Sequence, residues 1–419
     1  MKLFFWGIVV YNLFIGFSFT AIGADPVWTY PTPQGGRDVK DISFYQATDV
    51  DEVLPSIEGR PRNVILLIGD GMGYNHVALA RHRALGASGR LYMERLPVVG
   101  VVRTYSADSL ITDSAAAATA MACGVKTDNG RIGTTPDGLA WQSLMQKARS
   151  KGFRTGLVAT STITHATPAG FAAHVDSRGQ EADIAAQLLA NRIDILFGGG
   201  RKYWLAAPDG VREDGQNLID QARAVGYQIA YTAEQMAALK PAPALGLFAE
   251  DAMTTFAPEP MLDAMTRTAI ALLSAKPKDW FAPAPRFVVM IEGSQIDWAG
   301  HANDTDNAVR QTLLFDLAVK EAVAFARRDK KTLVIVTSDH ETGGLLLKRD
   351  KNNRIAAEWH SKNHTAADVP LYAFGPGAVR FAGTLDNTDI AKRIAELLGF
   401  DHFPAPLKMT AAPAHTAAQ

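Results

Sequence analysis

A single cysteine, Cys123, is present among the 419 residues. One thiol excludes an intrachain disulfide and rules out a cysteine-built metal site. Net charge is scarce too. The chain has 42 basic and 43 acidic side chains, which leaves −1, so there is no electrostatic footprint for nucleic acid or an anionic membrane surface. Beyond the N-terminus no run approaches the roughly 20 apolar residues needed to span a bilayer. No internal repeat is present either. What remains is ordinary globular composition, 47% apolar and 20% charged, in a chain long enough to bury a large core.

The N-terminus opens on Met1-Lys2, followed by a mostly apolar stretch from Leu3 to Phe19 and small residues at Ala21, Gly23 and Ala24. A basic start, an apolar segment and a small-residue site together describe a secretory signal peptide over residues 1–24. The alternative is a retained membrane anchor. A lipoprotein anchor is excluded, because no cysteine lies near the cleavage region. The signal reading implies an exported protein, periplasmic or extracellular, with no stable membrane span after processing. Cys123, inside an alanine-rich segment, is then a small buried apolar residue.

Residues 25–60 read as an extended leading segment. Val64-Ile65-Leu66-Leu67-Ile68 is a continuous apolar run that ends in Gly69-Asp70-Gly71-Met72-Gly73. Such runs are buried on both faces, as parallel strands are. The pattern recurs at Gly156–Thr160, Phe287–Ile291 and Leu333–Val336, with helical patterns near 139–150, 182–190, 259–275, 304–327 and 387–398. This alternation predicts an α/β fold, a three-layer α/β/α sandwich around a large, mostly parallel sheet. Ligands in such folds bind beyond the carboxyl ends of the strands. Residues 25–404 are expected to form one domain with a small polar surface excursion near 341–363. The Ala/Thr/Pro-rich segment 405–419 reads as a disordered tail.

The strand ends carry chemistry. Asp70, Glu292, Asp339 and His340 each follow an apolar run, and Asp297 and His301 are spaced to share one face of a helical turn. With His364, this is a mixture of imidazole and carboxylate that suits zinc. Each residue has a plainer reading alone: Asp70 as a turn residue, Asp297 as a helix cap, a single histidine as structural. His76, His82, His174, His360, His402 and His415 keep that structural reading. Thr112-Asp113-Ser114 running into Ala115–Ala118 reads either as a capped helix or as a hydroxyl at a helix N-terminus, where an anion is favoured.

As an ordered set these residues resemble the alkaline phosphatases, from about Asn63 to Gly399. The pieces are Ile68–Gly73, Thr112–Ala116, His165-Ala166-Thr167-Pro168-Ala169-Gly170, Glu292-Gly293, Ile296-Asp297 with His301, Ser338-Asp339-His340 and His364-Thr365. The resemblance implies hydrolysis of phosphate monoesters, with Ser114 as the nucleophile that carries a covalent phosphoryl group. It implies two zinc ions, one held by Asp70, Asp339 and His340 and one by Asp297, His301 and His364, as a clamp with metals roughly 4 Å apart. A magnesium ion would be held by Asp70, Thr167 and Glu292, and Arg178 would bind the phosphate with a guanidinium fork oriented by Asp113.

Two positions depart from the best-known bacterial pattern. His165 stands where that pattern has aspartate, and Trp298 stands at the substrate side where it has lysine. His165 could ligate the third ion, loosen it or bond through water, and Trp298 removes a cation near phosphate. The family also suggests a homodimer. The alternatives are a phosphodiesterase or sulfatase of the same superfamily, or a non-catalytic metal- or phosphate-binding protein. The Ser114-Ala115-Ala116 context lacks the sulfatase pattern of Cys or Ser followed by x-Pro-x-Arg.

Overall fold

Residues 37–46, 53–241, 243–276 and 284–407 are described by a computed structural model. The expected signal segment 1–24 and His415 lie outside these residues. Fourteen strands are present among them: β1 (Asn63–Gly69), β2 (Val98–Arg103), β3 (Arg154–Thr162), β4 (Ile195–Gly199), β5 (Gln228–Ala230), β6 (Ala244–Leu247) and β7 (Phe287–Gly293). The chain continues with β8 (Thr332–Thr337), β9 (Glu341–Thr342), β10 (Leu345–Arg349), β11 (Ile355–Trp359), β12 (His364–Thr365), β13 (Val369–Phe374) and β14 (Gly383–Asp386). Ten of them form one sheet in the order β14-β2-β13-β8-β1-β7-β3-β4-β6-β5. Every pairing is parallel except the two made by β13.

Alternation along β1 explains the layers, because successive side chains of a strand point to opposite faces. Val64, Leu66 and Ile68 join a core with Ala115, Met121 and Cys123 of the Ser114–Cys123 helix and with Ile390 and Ile394 of the Asn387–Leu398 helix. Ile65 and Leu67 join a second core with Met265 and Ala269 of the Leu262–Ser274 helix and with Leu313 and Phe315 of the Thr305–Asp329 helix. The expected three-layer α/β/α sandwich is therefore present.

Register brings the strand ends together. In β1, Ile68 lies opposite Glu292 of β7 on one side and Thr337 of β8 on the other. Asp70, Glu292 and the Asp339-His340 pair consequently emerge side by side. The backbone tightens this rim: Gly71 N–H donates to Asp339 Oδ1 at 3.1 Å and Met72 N–H to Ser338 Oγ at 2.9 Å. Gly71 has φ +73°, and a Cβ there would lie 2.6 Å from the Asp297 Cα. Only glycine fits so close an approach.

The alanine run is explained by packing as well as propensity. All ten residues from Ser114 to Cys123 are buried, and a Cβ on Gly170 would sit 2.8 Å from Ala118 Cβ. The Ala166–Gly170 helix therefore lies too close for larger side chains.

Three boundaries differ from the sequence reading. The first expected helix begins at Leu144 rather than near 139, because Ser143 and Gln146 form a capping box and Ala140 pairs with Thr134 instead. The polar excursion is narrower than 341–363. β10 and β11 make the exposed hairpin, whereas Glu341 is 6% and Thr342 0% exposed. Both are polar yet satisfied: Glu341 accepts from the Leu345 and Gly344 N–H groups and the Thr365 hydroxyl. At the other end, Ala405 and Leu407 bond to Gln142 and Ala140, so the chain is held three residues into the expected tail. The remainder of that tail, 408–419, lies outside the described residues.

Candidate active site

Three groups of side chains converge at the carboxyl ends of β1, β7, β8 and β3. They are Asp70 with Asp339 and His340, Asp297 with His301 and His364, and Asp70 with His165 and Glu292. Within each group one potential ligand atom per residue lies within 4.8 Å of the others. Asp297 and His301 sit one turn apart on the Gln295–Ala302 helix. His364 is delivered by β12, whose pairing sets it opposite Thr342 of β9.

The histidines are held so that one nitrogen of each faces inward. His301 Nδ1 lies 2.5 Å from the Lys362 carbonyl and His364 Nδ1 2.9 Å from the Thr112 carbonyl. A carbonyl only accepts, so both Nδ1 atoms donate, and in the neutral rings both Nε2 atoms keep a lone pair. Those two Nε2 atoms are 3.2 Å apart, and each lies within 3.4 Å of Asp297 Oδ1. Two lone pairs that close need a proton or a metal ion between them. His340 repeats the arrangement through Thr342, whose hydroxyl donates to Asp297 Oδ1 and accepts from His340 Nδ1 at 3.2 Å. His340 Nε2 then faces Asp339 Oδ2 at 3.2 Å, Asp70 Oδ1 at 3.5 Å and Ser114 Oγ at 3.3 Å.

The carboxylates are equally exposed to one another. Both oxygens of Asp70, Asp339 Oδ2, Glu292 Oε1 and the Thr167 hydroxyl are buried without a hydrogen-bond partner. Burial, followed by the neighbouring Asp339, Asp297 and Glu292, holds the Asp70 carboxyl well above the usual range. Burial pushes Glu292 up to about 7. Burial also opposes the charge on Asp297, yet His301 and His364 hold its carboxyl well below the ordinary value. Asp297 in turn raises both imidazoles against their own burial. Unpartnered buried oxygens beside inward imidazole lone pairs form a donor set that fits cations.

Ser114 opens its helix and is 2% exposed. Asp113 is the N-cap and does two jobs. Its Oδ1 accepts from Ala116 N–H, while its Oδ2 accepts from Gly130 N–H at 3.0 Å and from Arg178 Nη1 at 3.1 Å. The cap and the arginine holder are thus one residue. Asp176, two residues before Arg178, bonds to Arg131. Arg178 Nη2 donates to His165 Nε2 at 3.1 Å. Burial and then Arg178 push His165 down to about 3, so it is a neutral acceptor. Trp298 is 7% exposed and meets His165 edge-on, with ring centroids 6.2 Å apart.

Thr342, Asn129 and the carbonyls of Thr112 and Lys362 escaped the sequence reading. Thr342 lay two residues beyond His340, inside the stretch assigned to the surface on its polarity. Asn129 accepts from Asp113 N–H at 2.9 Å, and carbonyl roles leave no trace in side-chain identity. Two histidines read as structural are so: His76 Nδ1 accepts from Gly73 N–H, and His174 bonds to the Trp141 carbonyl.

Residues 61–352 and 346–400 match the family model described as Alkaline phosphatase. Alkaline phosphatase 3 of Bacillus subtilis is 33% identical over an alignment covering 81% of this chain and 89% of that protein. The solved alkaline phosphatase from the Antarctic bacterium TAB5 is 35% identical, with a TM-score of 0.75 over 82% of this chain and 100% of that one. A variant of the TAB5 enzyme with histidine replaced by glutamate has Mg bound in the M3 site, at a TM-score of 0.72, 35% identity and coverage of 83% and 100%. Candidate metal-ligand clusters, a serine at their edge and a match over most of the chain agree, and the chain belongs to the alkaline phosphatase family, enzymes that hydrolyse phosphate monoesters.

Proposed function

We propose that hydrolysis proceeds through a phosphoserine at Ser114. The observation that carries this reading is the Ser114 hydroxyl 3.3 Å from His340 Nε2, at the edge of buried carboxylate oxygens that lack a hydrogen-bond partner. The donor sets support two zinc sites, Asp70–Asp339–His340 and Asp297–His301–His364, and a magnesium site of Asp70, Glu292 and Thr167. The bound ions would supply charge stabilisation to the attacking and leaving oxygens.

The chain's own residues do the rest. Ser114 Oγ attacks phosphorus and gives its proton to solvent, while the bond to the alcohol oxygen breaks and that oxygen leaves as the alcohol after taking a proton from water. Water then attacks the phosphoserine, the Oγ–phosphorus bond breaks, inorganic phosphate leaves and Oγ regains a proton from that water. Arg178, its plane fixed by Asp113 and His165, takes two non-bridging oxygens. His165 acts through Arg178, since its Nε2 already accepts from the guanidinium. Phosphoryl transfer depends on this kind of positioning and charge.

Turnover of p-nitrophenyl phosphate that is lost with Ser114→Ala and with chelation is expected, together with a phosphorylated Ser114 trapped by acid quench. A large preference for the diester would overturn the reading in favour of a phosphodiesterase. Anomalous scattering from metal-loaded crystals identifies the ions. We further propose export on the 1–24 signal, a single catalytic domain over 25–404 and a homodimer. Among the described residues no helix is long and apolar enough to cross a membrane.

A further inference from the structure

We propose that Leu110 and Ile111 form an apolar wall at the mouth of the site, where they contact the leaving group and favour esters of aromatic or other apolar alcohols. This rests on Ser114 as the attacking group. Solvent reaches the ligand cluster unevenly. Asp70, Glu292, Asp339 and His340 are fully buried, whereas the His301 and His364 side chains retain 17% and 15% exposure. Attack from the buried Ser114 sends the departing oxygen in line and away from it, toward that exposed side.

Thr112 is itself buried, but its carbonyl takes the Nδ1 hydrogen of the partly exposed His364 ring, which sets the chain just before it beside that ring. The two residues before it are Leu110, 81% exposed, and Ile111, 41% exposed. Four residues of chain reach at most about 14 Å, so Leu110 stays near the nucleophile.

A scattered exposed leucine is ordinary, but this pair is fixed in place. Ser106 and Ser109 close a turn through the Ser106 hydroxyl and backbone at 3.0–3.2 Å, and Ser109 Oγ accepts from Ile111 N–H at 3.1 Å. Asn129 Nδ2 donates to the Ile111 carbonyl at 3.0 Å while its Oδ1 accepts from Asp113 N–H. The amide that holds the nucleophile's cap therefore also holds the wall. Held in this way the two side chains stand in solvent, and they gain burial when something apolar lies against them. The partly exposed His301 ring is held instead by the polar stretch Ser361–Asn363, through the Lys362 carbonyl.

The test compares 1-naphthyl phosphate with glycerol 3-phosphate in the wild type, Leu110→Asn, Ile111→Asn and Leu110→Met. Calorimetric affinities of phenylphosphonate and methylphosphonate are measured in parallel. In each asparagine variant the ratio of the naphthyl KM to the glycerol KM should rise about fivefold to tenfold, the scale of one partly buried aliphatic contact. The phenyl-over-methyl affinity ratio should fall to match, kcat should hold, and Leu110→Met should keep the wild-type ratios. Unchanged ratios in both asparagine variants would overturn the wall. Absence of ester turnover in the wild type would instead strike the phosphoserine reading, and the phosphonate affinities would still decide the wall.

Discussion

Replacing Thr342 with valine tests whether the two three-residue ligand groups are coupled through one hydroxyl. The exchange keeps the shape of the side chain. That matters because Thr342 Oγ1 lies 2.8 Å from where a Gly71 Cβ would stand, and Thr342 Cβ lies 3.0 Å from the equivalent point on Gly300. Valine fits the same space but neither donates to Asp297 Oδ1 nor accepts from His340 Nδ1. Both partners are buried, at 1% and 0% exposure, so each loss carries a desolvation cost of about 1–3 kcal/mol. Part of that is recovered if His340 rotates, but rotation turns Nε2 away from Asp70 and Ser114.

Outer hydrogen bonds of this type change metal affinity by about 10- to 100-fold, which is roughly 1.4–2.7 kcal/mol. The assay is recovery of activity in zinc buffers after chelation, with metal content measured by mass spectrometry. The zinc midpoint for Thr342→Val should rise by that factor, and Thr342→Ser, which keeps the hydroxyl, should stay near wild type. If the valine variant reloads at the wild-type midpoint, the bridge is irrelevant and the reasoning fails.

Gly71→Ala should lower stability by about 2–4 kcal/mol, because an alanine at φ +73° is strained and its Cβ would collide with the Asp297 backbone 2.6 Å away. A melting curve showing a loss below about 1 kcal/mol would mean the rim is softer than its geometry implies. Trp298→Lys places a cation next to His165 and Arg178, and phosphate should become a tighter competitive inhibitor, with slower product release; equal or weaker phosphate inhibition sinks that idea. Cys123 is fully buried, and burial pushes its thiol up to about 12, so labelling by a disulfide reagent should proceed only as fast as the protein opens. Rapid labelling of the folded enzyme would show an opening of the alanine helix that the packing forbids.

The buried strands were the most legible part of the fold. Continuous apolar runs at β1, β7 and β8 announce themselves because both faces need apolar side chains, and the ligands follow directly at their ends. Strands toward the two ends of the sheet were not visible. β2 alternates between buried and exposed residues as Val98-Val99-Gly100-Val101-Val102, and β5 has three residues. β13 is buried throughout but contains Pro370, a residue that argues against a sheet interior. It is tolerated because Pro370 needs only an acceptor role, and its carbonyl takes the Thr337 hydroxyl hydrogen.

In the site, residue types were legible and their holders were not. A histidine with an inward Nε2 can be guessed from its company. The carbonyl of Lys362 that turns His301 depends on a loop path that no local pattern encodes. Thr342 shows the same limit from another direction, since polarity alone cannot separate a surface residue from a buried one with every bond satisfied.

The alanine helix looks at first like an anion site in itself, with Ser114 at its positive end. Its dipole is worth at most about 1 kcal/mol near the surface, and Asp113 places a full negative charge at the same end. Arg178 offsets that charge through its 3.1 Å pair. What is left around Ser114 is the set Asp70, Glu292, Asp297 and Asp339, four carboxyl groups with His301, His364 and His340 as their nearest opposing groups. Such a cluster repels a phosphate ester rather than binding it. Three dications would outweigh four carboxylates and reverse the sign of the field, and the same carboxylates would then serve as ligands instead of obstacles. Chelation should therefore weaken phosphate binding as well as chemistry. Helix, cap and arginine fix where Ser114 stands, while the sign of the charge it meets depends on what the strand ends hold.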